Sequence, residues 1–104
     1  MRYGWCVVGL AVALAATAGE GPRPDAQPLV RFVRQECGFC HGLRLNGGLG
    51  VPLTAETMRT RPIDYLETVI SQGIPGTAMP GWAPYLTASQ VRWIAERLRE
   101  GFPE

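Results

Sequence analysis

The chain has 104 residues, which is room for one small domain and not for two. All ten of its basic residues are arginines, and nine acidic residues oppose them, so the formal net charge is +1. This near balance, without a basic patch, excludes a nucleic-acid-binding surface.

The N-terminus has the pattern of an export signal. Arg2 supplies a positive charge, an apolar run follows from Cys6, and an A-x-A cleavage motif precedes Gly19. A retained membrane anchor is the alternative, but the run is shorter than the roughly 20 apolar residues that a span needs. We therefore expect a domain with no membrane attachment after cleavage. The predicted signal peptide, flexible lead-in and folded domain span residues 1–18, 19–27 and 28–104.

The first half of this domain contains one main helix and a loop. The helix is predicted over residues 28–36, where apolar side chains recur with a spacing of three and four at Leu29, Phe32 and Val33. A glycine-rich loop follows over residues 42–53. Thr54 is a typical N-cap, and it predicts a one-turn helix that reaches Thr57.

The second half contains two further main helices. One is predicted over residues 62–72, with a proline at its start and Gly73 to end it. Residues 74–85 carry several glycines and prolines and predict an irregular loop. The last helix begins at a T-x-x-Q capping box at Thr87 and ends at Gly101. No run alternates with period two, so the fold class is all-α: three main helices joined by glycine- and proline-rich loops.

The densest functional signal is CGFCH at residues 37–41. A redox disulfide between Cys37 and Cys40 is one interpretation, but the βαβ context of thioredoxin-like proteins is missing. A structural zinc site wants four Cys or His ligands, and beyond the signal the chain offers only these two cysteines and His41. C-x-x-C-H is the signature of covalent haem attachment, with two thioether bonds and a histidine on the iron. One covalently attached haem c uses all three side chains.

A haem makes the second axial ligand decisive for function. His41 is the only histidine, and the methionines beyond Met1 are Met58 and Met79. Met79 is the predicted ligand because two prolines flank it in a loop without regular structure and hold it rigidly, whereas Met58 is expected to fill a gap in the core. An open or labile site in place of Met79 would instead suit a ligand sensor or a small peroxidase.

These residues resemble a class I cytochrome c over essentially the whole predicted domain. CGFCHGLRLNGGLG and GIPGTAMPGW further resemble the small periplasmic NirC-type cytochromes c, which are found with the cytochrome cd type of nitrite reductase. The resemblance implies the class I cytochrome c fold around one haem, thioethers at Cys37 and Cys40, and axial ligation by His41 and Met79. It also implies a periplasmic electron carrier and not an enzyme, with a redox protein such as nitrite reductase as partner, either supplying electrons to it or assisting its maturation.

The resemblance makes two further points about single residues. A backbone carbonyl of the family accepts the second N–H of the histidine, and Val51 is expected to supply it here. The family places an aromatic residue four positions before the first cysteine, where this chain has Val33 with Phe32 beside it. The residues that flank the predicted ligands are expected to form an exposed docking patch: Gly38, Phe39, Ala78 and Pro80.

Overall fold

The computed structural model describes residues 2–4, 6, 9–11 and 25–104. The predicted cleavage motif at residues 16–18 and residues 19–24 of the lead-in lie outside the described residues. Over residues 25–104 the regular structure is helical and contains no strand, which confirms the all-α prediction. None of the described helices has both the length and the apolar character needed to cross a membrane.

The first helix is continuous from Ala26 to His41. Its sections are α1 (Ala26–Phe32), a π-helical turn (Val33–Cys37) and α2 (Gly38–His41). Asp25 caps its N-terminus, where the carboxylate accepts a hydrogen bond of 3.2 Å from the backbone N–H of Gln27. The helix therefore begins two residues before the predicted start at Pro28 and continues through the cysteine motif, beyond the predicted end at Glu36.

The π turn separates the apolar part of this helix from the part that carries the motif. The backbone N–H of Gly38 donates to the carbonyl of Val33, five residues earlier. Such a turn holds one residue more than an α turn, which corresponds to about 100° of rotation around the helix axis. The motif is therefore out of register with the apolar stripe formed by Leu29 and Val33.

The remaining helices follow the predicted signals, except that the first of them ends at Met58, one residue beyond the predicted Thr57. They are α3 (Ala55–Met58), α4 (Ile63–Gln72) and α5 (Ala88–Glu100). Thr54 caps α3, and Thr87 forms a reciprocal capping box with Gln90 at the start of α5. Gly73 and Gly101, both with positive φ, follow the last residues of α4 and α5.

A single apolar core joins these helices, and α5 packs against both α3 and α4. Val33 and Ile94 are its largest fully buried side chains, and burial of each contributes about 1.5–3 kcal/mol. Met58 is 3% exposed and belongs to the core, as predicted. The buried residues are Leu29, Val33, Leu45, Met58, Leu66, Ile70, Leu86, Val91, Ile94, Ala95 and Leu98.

Candidate functional site

The motif forms the last turn of the first helix. Cys37 and Cys40 are three residues apart on a helical backbone, and this spacing places their side chains on the same side of the helix. Cys37 is partly buried and packs against the core, and Cys40 and His41 are half-buried. Two thiols that project from one helix face, beside a histidine, are the side chains that attach a haem covalently in c-type proteins.

His41 is oriented by a hydrogen bond from its own ring. Its Nδ1 lies 2.7 Å from the carbonyl oxygen of Val51, and a carbonyl can only accept, so Nδ1 carries the proton. The lone pair is then on Nε2, the nitrogen that is available to a metal. The expected role of the Val51 carbonyl is confirmed.

The glycine-rich loop wraps closely around this histidine. The N–H of Gly50 donates to the carbonyl of Cys40 at 2.7 Å, and the N–H of Gly47 donates to the carbonyl of His41 at 2.8 Å. A Cβ at Gly50 would lie 2.7 Å from Nδ1 and Cε1 of the ring. Glycine at this position is therefore what allows the loop backbone to lie against the imidazole.

Met79 lies in the irregular loop that follows α4, and it is half-buried. Its carbonyl accepts a hydrogen bond of 3.3 Å from the N–H of Ile74, and its N–H donates to Thr77 Oγ1 at 3.3 Å. A Cβ at Gly73, where φ is +72°, would lie 2.5 Å from the carbonyl oxygen of Met79. The end of α4 thus fixes the backbone of the methionine.

An aromatic contact joins the methionine loop to the first helix. The rings of Phe32 and Trp82 meet edge to face, with centroids 5.1 Å apart. The backbone N–H of Trp82 also donates to the carbonyl of Ile70 at 2.9 Å. The structure therefore links the segments that carry Cys37 and Met79, and the aromatic residue next to Val33 forms the link.

The surroundings of Cys37 keep its thiol protonated. Burial, together with a smaller contribution from the negative charge of the neighbouring Glu36, raises the pKa of the Cys37 thiol to about 11. A thiolate is the form that binds metals and exchanges disulfides, so a free Cys37 is poorly suited to either chemistry at neutral pH.

The structure gives no support to the other two interpretations of the motif. In the described part of the chain, no three His, Cys, Asp or Glu side chains come together as a metal site. The strand that precedes a thioredoxin-like cysteine pair is also missing there, since a helix leads into Cys37.

The predicted docking patch is partly wrong. Gly38 is buried inside the helical turn and cannot contact a partner. Phe39 is 82% exposed, and Ala78 and Pro80 are also exposed. Three residues with a structural role were not predicted from the sequence. They are Gly50, which lies against the imidazole, Thr77, which hydrogen-bonds to Met79, and Trp82, which packs against the first helix. For Thr77, a threonine two residues before the ligand candidate was a usable signal of a side-chain turn.

Comparison with known proteins agrees with this geometry. Residues 24–96 match the family described as cytochrome C oxidase, cbb3-type, subunit III. A relative from Paracoccus denitrificans named cytochrome c55X is 54% identical over 92 residues, which cover 86% of this chain and 88% of the relative.

Two solved structures resemble the chain. One, described as the c-type cytochrome NirC, has a TM-score of 0.71 and 45% identity, over 74% of this chain and 94% of its own. The other is dihydro-heme d1 dehydrogenase NirN in complex with DHE, with a TM-score of 0.66 and 30% identity. That match covers 74% of this chain but 17% of NirN, so the similarity is to one part of a much longer protein.

This chain therefore belongs to the cytochrome c family, the haem proteins that carry electrons. Within the family, it is related to cytochrome c55X and to NirC. The donors present in the structure fit a c-type haem, because two thiols lie on one helix face and the adjacent histidine uses Nδ1 for a hydrogen bond, which leaves Nε2 for a metal.

Proposed function

We propose that this chain is a periplasmic electron carrier with one covalently attached haem c. Cys37 and Cys40 would hold the haem through thioether bonds, and His41 and Met79 would be the axial ligands of its iron. The observation that carries this proposal is the hydrogen bond of 2.7 Å from His41 Nδ1 to the Val51 carbonyl. It fixes both the tautomer and the orientation that axial ligation requires.

The residues around this site act by keeping the donors in place. A bound haem would supply the one-electron chemistry, and a soft methionine sulfur among its ligands would raise the reduction potential. The Val51 carbonyl restrains the imidazole, while the hydrogen bonds at Ile74 and Thr77 restrain the backbone of Met79. Donors that do not move on oxidation or reduction add little reorganisation to electron transfer.

We further propose that the partner belongs to the nitrite reductase system. Two similarities support this partner: NirC matches over 94% of its own length, and part of NirN matches at 30% identity. NirN is described as a dihydro-heme d1 dehydrogenase, so electron exchange during maturation of the reductase's haem is the second route within the same proposal. We also propose that the chain is exported before the haem is attached, and that its signal peptide is cleaved before Gly19.

Two measurements on the exported protein test the cofactor and its ligands. The intact mass should equal that of a chain beginning near Gly19 plus one haem. The ferric protein should show the weak absorption band near the red end of the visible spectrum that marks a methionine–iron bond. Met79→Ala should abolish the band and keep the covalent haem.

Met58→Leu is the matched control, because Met58 is a buried core methionine and the exchange nearly conserves its volume. It should keep the band. A ferric protein that lacks the band before any substitution would overturn the Met79 assignment and favour the open-site haem protein, a ligand sensor or peroxidase. A mass without haem would overturn the proposal as a whole.

A further inference from the structure

A cleft of about 490 Å³ lies between the first helix and the methionine loop. Its described lining residues are Phe32, Glu36, Pro80, Gly81, Trp82 and Tyr85. The four haem-binding candidates do not line it, but two lining residues are their chain neighbours: Glu36 precedes Cys37, and Pro80 follows Met79. The cleft therefore borders the proposed cofactor site.

Aromatic rings form one wall of this cleft in a fixed arrangement. Trp82 contacts Phe32 edge to face at 5.1 Å, and its centroid lies 5.9 Å from that of Tyr85 at an interplanar angle of 59°. Tyr85 is 73% exposed, so much of its ring is accessible. Connected aromatic faces with an open side are suited to binding a flat or cationic group.

Glu36 is the one charged residue among the described lining residues. It takes part in none of the ion pairs found over residues 25–104, which lie either within α5 or between α5 and α4. Arg34, on the same helix, is engaged elsewhere: it donates to the carbonyl of Pro103 at 2.7 Å and stacks over Phe102. The exposed Glu36 carboxylate is therefore available to a cation that enters the cleft.

We propose that this cleft binds an arginine side chain of the protein that exchanges electrons with this cytochrome. A guanidinium group is planar, stacks on aromatic faces and donates two parallel hydrogen bonds to a carboxylate, so it satisfies both the rings and Glu36. The choice of partner rests on the proposed function as an electron carrier. An arginine anchored here would bring the partner surface next to Cys37 and the loop of Met79.

The test is a titration of the reduced holoprotein with a short peptide, acetyl-Gly-Arg-Gly-amide, followed by NMR at the ring protons of Trp82 and Tyr85. We expect saturable shifts at both rings. The same peptide with citrulline in place of arginine keeps the planar group and loses the charge, and it should produce no saturable shift. Equal binding of the citrulline peptide would overturn the proposal.

Substitutions give the second arm of the test. Glu36→Gln should weaken binding of the arginine peptide about fivefold, or ~1 kcal/mol, as expected for an exposed charge pair. Glu56→Gln is the matched control, since Glu56 is also exposed and outside the ion pairs of the described residues, but lies on α3. Unchanged affinity in Glu36→Gln would overturn the proposal, as would an equal loss in Glu56→Gln.

Sedimentation of the holoprotein separates a partner from a second copy of this chain, which also carries arginines. Self-association that Glu36→Gln abolishes would identify the occupant as another copy and overturn the assignment to a partner. The peptide titration measures binding and not electron transfer. Its failure would leave the carrier proposal intact, whereas a missing methionine–iron band would contradict the Met79 assignment and leave the cleft untouched.

Discussion

The two proposed axial ligands, one at the end of the first helix and one on a loop, are restrained by different contacts. At the helix end, the side chain of His41 is itself restrained, by the Val51 carbonyl at 2.7 Å and by the backbone of Gly50 against its ring. In the methionine loop, the contacts to Ile74 and Thr77 are made by the backbone of Met79. The imidazole is thus oriented by the polypeptide, while the thioether is positioned through the chain that carries it.

This difference predicts unequal strength of the two ligand sites. The imidazole of His41 keeps its orientation as long as its short hydrogen bond to the Val51 carbonyl and the last turn of the first helix stay intact. Orientation of Met79 depends on two loop hydrogen bonds that are longer, at 3.3 Å each, and on glycines that let the loop lie against α4. Loops with exposed backbone hydrogen bonds open at lower free energy than packed helices. The methionine side should therefore be the first to open, and substitutions can test each contact.

The largest effect is expected for Gly73→Ala. The new Cβ would lie 2.5 Å from the Met79 carbonyl and 2.8 Å from the N–H nitrogen of Gly81, both backbone atoms, at a φ of +72°. We expect the free energy of unfolding to fall by about 3–4 kcal/mol from steric overlap and left-handed backbone together, and the proposed methionine–iron band to be lost. Denaturant unfolding and the ferric spectrum measure the two effects.

Gly76→Ala separates the two causes. Gly76 has a similar φ of +77° but open space around its Cβ position. Gly76→Ala should therefore lower the free energy of unfolding only by the cost of the left-handed conformation, about 1–2 kcal/mol, and it should keep the band. Equal losses in both variants would mean that the close approach of α4 to Met79 contributes nothing.

Short-range signals predicted most of the fold. Thr87 with Gln90, and Gly73 after an apolar stripe, bounded α5 and α4 because caps and stop signals act within one turn. The π turn was not predictable in this way, since an α turn and a π turn have the same apolar spacing before them. The positive φ of Leu45 (57°) was missed for a similar reason: its side chain is 3% exposed, and core packing holds a backbone conformation that propensity disfavours.

The same distinction between local signals and long-range contacts applies to the candidate site. Cys37, Cys40 and His41 could be selected as haem-binding candidates from the sequence because C-x-x-C-H is a motif with a fixed local spacing. Counting the remaining donors left Met58 and Met79, and the prolines around Met79 favoured it; its distance along the chain from the motif gave no geometric information. The contact between Phe32 and Trp82 joins residues 50 positions apart, and no local pattern encodes such a pair.

Gly50→Ala tests the histidine side and should have the next largest effect. Its Cβ would meet Nδ1 and Cε1 of His41 at 2.7 Å, so the ring must tilt away from the Val51 carbonyl. We expect a loss of about 2 kcal/mol, typical of overpacking, together with a changed reduction potential because the histidine hydrogen bond is altered. Protein-film voltammetry and denaturant unfolding measure both. A stable variant with the wild-type potential would contradict a tight loop around the imidazole.

Thr77→Val tests the hydrogen bonds behind Met79. The Thr77 hydroxyl donates to the Ile74 carbonyl at 2.7 Å and accepts from the Met79 N–H at 3.3 Å. Loss of both hydrogen bonds should lower the free energy of unfolding by about 1.5 kcal/mol. The methionine–iron band should then disappear at a lower denaturant concentration than the helical circular dichroism signal. Thr68→Val is the control, because its hydroxyl makes a comparable bond of 2.9 Å to the Asp64 carbonyl on α4, away from the loop. It should leave the denaturant midpoint of the band unchanged relative to the helical signal.

The smallest effect is expected for Thr87→Ala, which weakens the helical part of the molecule without touching either loop contact. Thr87 Oγ1 accepts from the Gln90 N–H at 3.2 Å, and the Gln90 side chain accepts from the Thr87 N–H at 2.8 Å. Removal of the hydroxyl should cost about 1 kcal/mol of unfolding free energy. Because α5 supports the whole core, band and helical signal should shift together to lower denaturant concentration. A band that shifts alone would mean that the methionine loop depends on this cap, and that the separation of loop and helix stability is wrong.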